Sequence, residues 1–255
     1  MTFTDSHTHL YLNAFDTDRA DVIARSIARG VRYFALPNID EGSLDTLQST
    51  YDQWPDQMLP MAGLHPSSVG VDYRDQIEHI FQRAKNFPYY AVGEIGIDLY
   101  WDQSLEEQQR EAFRLQCKKA SELGLPVSIH MRNAFDVVMD ELKQLNEPHL
   151  TGIFHCFTGD KEQARKVIDM GFYLGIGGVL TFKNSNLGKQ LNDIPLSKMV
   201  LETDSPYLTP HPYRGQRNES GYLPLIARAL ADIKQVDIEQ VAEKTTANAR
   251  DIFRF

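Results

Sequence analysis

Residues 104–130 read Ser-Leu-Glu-Glu-Gln-Gln-Arg-Glu-Ala-Phe-Arg-Leu-Gln-Cys-Lys-Lys-Ala-Ser-Glu-Leu-Gly-Leu-Pro-Val-Ser-Ile-His, one complete step from helix to strand. Ser104-Leu105-Glu106-Glu107 has the form of a capping box, in which a hydroxyl and a glutamate satisfy amides of the first turn. The helix it opens runs to Gly124, suited to a left-handed end, and Pro126 bars its continuation. Val127-Ser128-Ile129 then forms a short run fit for burial, closed by the hydrophilic His130.

The same step recurs outward in both directions. Strand-like runs rich in Val, Ile, Phe and Tyr fall at Phe3–Asp5, Val31–Leu36, Met58–Ala62, Tyr90–Glu94, Val127–His130, Thr151–His155, Phe172–Ile176 and Met199–Glu202. Helical patterns fit between them: Asp16–Gly30 carries Ile23 and Ile27 on one face, and Tyr222–Lys234 and Ile238–Phe253 finish the chain. Eight strands spread over 255 residues give α/β units averaging about 32 residues. An open doubly wound sheet shares this alternation, but no GxGxxG follows the first strand. We therefore expect a (β/α)8 barrel, slightly distorted, forming a single domain over 1–255.

Composition narrows the function classes. With only Cys117 and Cys156, and no CxxC, a disulfide scaffold and a thiolate zinc site are both disfavoured. A net charge of −9 argues against non-specific electrostatic wrapping of DNA, though carboxylates that bind metal are part of that sum. No run of 18 apolar residues and no charged-then-apolar leader is present, so a cytoplasmic protein without membrane contact is expected. Nothing points to an obligate protein partner.

The hydrophilic residues concentrate where strands end. His7 and His9 follow the first strand with i, i+2 spacing, so both imidazoles face one point. Glu94, His130 and His155 each close an apolar run, and Asp204 follows Val200-Leu201-Glu202-Thr203. In a barrel, C-terminal strand ends form one ring at the active-site mouth. Four imidazoles and two carboxylates there make a nitrogen/oxygen site for Zn²⁺, Mn²⁺ or Mg²⁺. Six ligands exceed one tetrahedral ion and suggest two, bridged by a carboxylate. Glu94, on the middle contributing strand, is the expected bridge. His7, His9 and Asp204 would hold one ion, and His130 and His155 the other. No lysine closes these strands, which disfavours a modified-lysine bridge. Asp5, on the face of His7, would orient an imidazole. Glu202, one layer deeper, and Asp98 would do the same.

These motifs together resemble the TatD family of metal-dependent deoxyribonucleases, within the amidohydrolase-like barrels. The resemblance rests on Asp5-Ser6-His7-Thr8-His9-Leu10, Gly63-Leu64-His65-Pro66, Gly93-Glu94-Ile95-Gly96-Ile97-Asp98 and Pro126-Val127-Ser128-Ile129-His130. It continues through His155-Cys156-Phe157-Thr158-Gly159, Leu201-Glu202-Thr203-Asp204-Ser205-Pro206-Tyr207, Pro212-Tyr213-Arg214-Gly215 and Asn218-Glu219, in the family's order. One departure is Ser220, where the family motif has proline. The resemblance implies a TIM barrel, a two-metal site at the six positions above, and hydrolysis of phosphodiester bonds, typically in DNA.

A metal-activated water would attack phosphorus, with Asp204 as ligand and proton acceptor and Glu94 as bridge. His65 reads as a phosphate contact or a satisfied structural histidine. Lys183, after the seventh strand, and Arg214, in a Pro/Gly-rich loop, have the charge and placement for phosphate oxygens. Tyr11, Phe157, Tyr207 and Tyr213 are candidates for stacking on bases, or are simple packing. The competing readings are an amidohydrolase acting on a small cyclic amide or lactone, and a non-catalytic binding module.

Overall fold

The computed structural model describes residues 1–100 and 103–255. Its eight strands are β1 (Phe3–Asp5), β2 (Val31–Leu36), β3 (Met58–Ala62), β4 (Ala91–Asp98), β5 (Val127–Arg132), β6 (Gly152–Phe154), β7 (Tyr173–Ile176) and β8 (Met199–Leu201). They run parallel in the order β1 to β8. The helices are α1 (Arg19–Ala28), α2 (Leu44–Gln53), α3 (Tyr73–Arg83), α4 (Glu106–Leu123), α5 (Phe135–Leu145), α6 (Lys161–Asp169), α7 (Leu187–Leu191), α8 (Leu223–Lys234) and α9 (Ile238–Phe253). This is the expected eight-stranded α/β barrel.

Closure is its distorted part. β8 and β1 are joined not by a regular ladder but by Ser6 N–H to the Leu201 carbonyl at 2.9 Å. Beyond the strand ends, Asp204 N–H donates to His7 O at 2.9 Å and His9 N–H to Ser205 O at 2.8 Å. The seam that closes the barrel thus also brings Asp204 to the two first histidines.

Packing follows the two-residue alternation of strands. Ala35, Leu59, Met61, Ala91, Ile153 and Val200 form one cluster with Ala249, Ile252 and Phe253 of α9. The opposite strand faces pack against the surrounding helices in a second, larger cluster. Counting on by two from the first cluster reaches His155 and Glu202, so one inward-facing row is apolar below and polar at the mouth. Among the described residues, no helix is long and apolar enough to cross a membrane.

Element ends differ from the sequence expectation in two instructive places. β4 continues four residues past Glu94, because Ile95 and Ile97 are fully buried and pair in register with Ile129 and Met131 of β5. Gly96 permits this pairing: at φ +149° it lies so close to β5 that a Cβ would meet His130 O at 1.9 Å. α4 begins at Glu106 with Leu105 in the N-cap position, one residue later than the capping-box reading, which puts Ser104 there. Its first turn is anchored instead by Gln109, whose amide accepts from Asp98 N–H at 2.8 Å and donates to Asp98 O at 3.2 Å.

Candidate metal centre

Glu94 lies at the middle of the barrel mouth, and its two oxygens face different neighbours. Oε2 is 3.0 Å from His7 Nε2 and 3.6 Å from His9 Nε2. Oε1 is 2.7 Å from His155 Nε2, 2.9 Å from His130 Nδ1 and 3.3 Å from His65 Nε2. Asp204 joins the first side, with Oδ1 at 3.5 Å from His9 Nε2 and 3.8 Å from His7 Nε2. His7 and His155 stack across the middle, ring centroids 3.8 Å apart. All six expected ligand residues converge, with His65 as a seventh polar neighbour.

Backbone conformation aims two of these groups. Asp204 has φ +56° and Cys156, directly after His155, has φ +47°, a left-handed turn at each strand exit. Both left-handed residues have an anchored amide: Asp204 N–H on His7 O, and Cys156 N–H on Glu202 Oε1 at 2.5 Å.

The partners behind the imidazoles were less legible in the sequence. Asp98 Oδ2 sits 2.9 Å from His130 Nε2, as expected, leaving His130 Nδ1 directed at Glu94. Glu202 is fully buried, as expected, but its Oε1 is 3.6 Å from His155 Nδ1, too long for a hydrogen bond. Among the described residues, His155 Nδ1 and Glu202 Oε2 are buried without a partner. Room for Glu202 comes from Gly175 on β7, where a Cβ would meet Glu202 Oε2 at 2.2 Å.

Asp5 departs from expectation. Its carboxylate accepts from Thr203 N–H at 2.9 Å and Thr203 Oγ–H at 2.6 Å, and touches no imidazole. The barrel seam presents Thr203 to Asp5 more closely than any ring, so Asp5 fixes the chain just before Asp204. Burial, reinforced by the charge of Glu202, raises its carboxyl to about 7. The group that serves His7 is Ser128 instead, with Oγ at 3.2 Å from Nδ1. Tyr11 serves His9, its oxygen 3.1 Å from Nδ1. Tyr11 and Phe157 are buried, which removes both as base-stacking surfaces, whereas Tyr207 and Tyr213 are exposed.

The electrostatics favour positive charge at this spot. Burial opposes ionisation of Glu94, but His155, His65 and His7 outweigh it and hold the carboxyl well below its usual range. Burial likewise opposes, and His9, His155 and His7 overcome, to keep Asp204 low. His155 is pushed well above the ordinary imidazole range, against its burial, by Glu94 and Glu202. Burial and the neighbouring His155 lower His7. The Cys156 thiol is raised by burial and by the charges of Asp204, Glu202 and Glu94. A buried nitrogen and carboxylate set with unpaired atoms and a field that attracts cations fits a divalent metal centre.

The outer cations lie apart from the cluster. Lys183 is exposed on the loop after the 178–181 helical turn. Arg214, also exposed, donates to Thr209 O at 2.9 Å and lies 3.8 Å over the ring of Phe182, the residue before Lys183. Two loops of the mouth therefore meet there. Ser220, the departure from the family motif, is buried with its hydroxyl 3.2 Å from Thr8 Oγ1.

Comparison with known proteins gives the same picture. The family model described as TatD related DNase matches residues 4–254. An uncharacterized metal-dependent hydrolase, YabD of Bacillus subtilis, is 36% identical over 251 residues and 98% of each chain. The 3'-5' ssDNA/RNA exonuclease TatD of Salmonella typhimurium is 32% identical, again over 98% of each. Among solved structures, the TatD homologue YjjV of Escherichia coli superposes with a TM-score of 0.93 at 25% identity, covering 99% of this chain and 98% of that one. The chain belongs to the TatD-related DNase family of metal-dependent hydrolases.

Proposed function

We propose that this protein hydrolyses phosphodiester bonds in DNA, using two divalent cations (Zn²⁺, Mn²⁺ or Mg²⁺) that Glu94 and the residues around it would hold, with residues 1–255 working as one unit. The observation that carries this reading is the division of the Glu94 carboxylate between two sets of imidazoles. His7, His9 and Asp204 would hold one cation, and His130 and His155 the other. Bound ions of this kind supply Lewis acidity and a water acidic enough to ionise near neutral pH. Asp204, ionised and the most open of the inner carboxylates, takes the proton of the attacking water. The new bond joins water oxygen to phosphorus as the bond to the departing sugar oxygen breaks.

His65 is a donor to the phosphate rather than a ligand, and its tautomer is the reason. Ser67 N–H donates to His65 Nδ1 at 3.0 Å, so in the neutral ring the hydrogen resides on Nε2. Burial favours that neutral ring. Its Nε2–H points into the cluster and has no lone pair for a cation, but suits a phosphoryl oxygen. Lys183 and Arg214, brought together at Phe182, take phosphates further along the strand.

The relative from Salmonella typhimurium, named for exonuclease action on single-stranded DNA and RNA, supports a nucleic-acid substrate. The test uses purified protein stripped with chelator and reloaded with each ion in turn. Cleavage of single-stranded DNA that is lost and regained with the ion is expected. Hydrolysis confined to a lactone or cyclic amide panel would overturn the reading.

A further inference from the structure

An open cleft of about 640 Å³ adjoins the metal centre on the side of His130. It is lined by Met131 and Arg132 at the end of β5, by Asn133 and Thr158 in the segments after β5 and β6, and by Tyr100 and the first turn of α5. Its connection to the centre is direct. Tyr100 N–H donates to Asp98 Oδ1 at 2.9 Å, and the other oxygen of that carboxylate holds His130. Arg132 lies opposite Asp98 in the β4–β5 register and two residues beyond His130.

The lining resembles a place for a planar, neutral group. The Arg132 guanidinium lies 3.7 Å from the Tyr100 ring centroid, and Tyr100 is 48% exposed, so the pair forms a flat platform at the rim. Met131, Ala134 and Val137 give the cleft apolar wall, while Asn133, Asp136 and Thr158 offer donors and acceptors. Among the described residues of its lining, the two charged side chains, Arg132 and Asp136, have opposite signs, which fits an uncharged base and sugar better than a phosphate. The volume falls inside the range of roughly 300–1,000 Å³ typical of small-molecule sites.

We propose that this cleft seats the nucleoside next to the scissile phosphate of a single-stranded substrate, its base stacked at the Tyr100–Arg132 platform. The assignment rests on the phosphodiesterase reading above and adds where the strand lies. A base anchored there leaves its phosphate at Glu94 and His65 and sends the next nucleotides towards Phe182, Lys183 and Arg214. Duplex DNA keeps its bases inside the helix, so a seated base also makes the enzyme prefer single strands.

The test compares three substrates with the full-length, metal-loaded protein: a single-stranded oligonucleotide, the same strand with an abasic residue on either side of the cleaved bond, and bis(p-nitrophenyl) phosphate. For the parent protein, kcat/KM should fall about tenfold when the abasic residue occupies the cleft, the size of one lost stack. Tyr100→Ala, and independently Val137→Trp, which fills the cleft from α5, should each lower the ratio of oligonucleotide to small-diester kcat/KM by about tenfold. Neither should add to the abasic loss. Parent cleavage indifferent to abasic residues, or losses that multiply, would overturn the subsite while leaving the phosphodiesterase reading intact. Failure of the parent on both the oligonucleotide and the small diester would remove both.

Discussion

Tyr11 shows how one hydroxyl can decide which end of an imidazole is chemically available. Its O–H donates to Pro37 O at 2.6 Å, so towards His9 its oxygen can only accept. In the neutral tautomer His9 therefore carries its hydrogen on Nδ1 and turns a lone pair from Nε2 towards Glu94 and Asp204. Ser128 serves His7 in the same place, and Asp98 serves His130 from the other ring nitrogen. Such partners typically contribute 10- to 100-fold in metal affinity. Ser128→Ala should weaken metal binding by about that factor, measured by titrating the ion into stripped protein. A variant with unaltered affinity would deny Ser128 any orienting part. His65 should behave oppositely: His65→Ala keeps its metal content but loses about 10²–10³-fold in kcat, the cost of one missing oxyanion donor. Loss of one ion per chain in that variant would make His65 a ligand. The six central residues were readable because each is a polar group inside or just after an apolar, strand-like run, a local signal. Ser128 and Tyr11 were not, because a serine inside a strand or a tyrosine after one acquires its role only from segments far along the chain. Asp5 was misread for the same reason, since its true partner, Thr203, is 198 residues away.

At the level of elements, α4 carries more than its amphipathic pattern announces. Gln109 and Gln116, two turns apart, each close a pair of backbone hydrogen bonds, the first at Asp98 and the second at Leu64, beside His65. Apolar periodicity revealed the helix, but gave no hint that two buried amides would substitute for missing strand neighbours. Between α4 and α5 lies Glu141, fully buried and gripped by Arg110 Nε at 2.7 Å and Arg114 Nη1 at 2.8 Å, both arginines more than a quarter exposed. The two sides of this triad are unequal. Removing Glu141 frees guanidinium groups that can turn to water, so Glu141→Ala should cost about 1–2 kcal/mol. Removing both arginines strands a buried carboxylate, and Arg110→Met with Arg114→Met should cost about 3–5 kcal/mol. Urea unfolding of the two proteins checks the order, and a reversed order would mean that the carboxylate finds water on its own. The boundaries of β4 and α4 escaped sequence reading because Ile95, Gly96 and Ile97 look like a loop after Glu94 until β5 is beside them.

Across the whole molecule, the centre draws its donors from residue 7 to residue 204, so anything that binds there ties the first strand to the last. That matters because the seam between β8 and β1 is the weakest part of the sheet, joined by Ser6 and Leu201 and by the loop amides of His9 and Asp204. The unfolded chain has no such convergence of imidazoles and carboxylates, and a cation that binds only the folded form stabilises it by mass action. At a free concentration about 100 times Kd, one ion contributes about 2.7 kcal/mol. For a chain of this size, each kcal/mol moves Tm by about 2–4 °C. Reloading stripped protein should therefore raise Tm by about 5–10 °C per ion, read by thermal scans with and without chelator. Glu94→Gln separates this from a general effect of ions on an acidic protein with a net charge of −9. Its amide keeps the shape of the carboxylate but loses the charge that would hold a cation there, so most of the rise should vanish. An equal rise in parent and variant would locate the stabilising ions elsewhere on the surface, and the central carboxylate would then need another explanation for its ring of imidazoles.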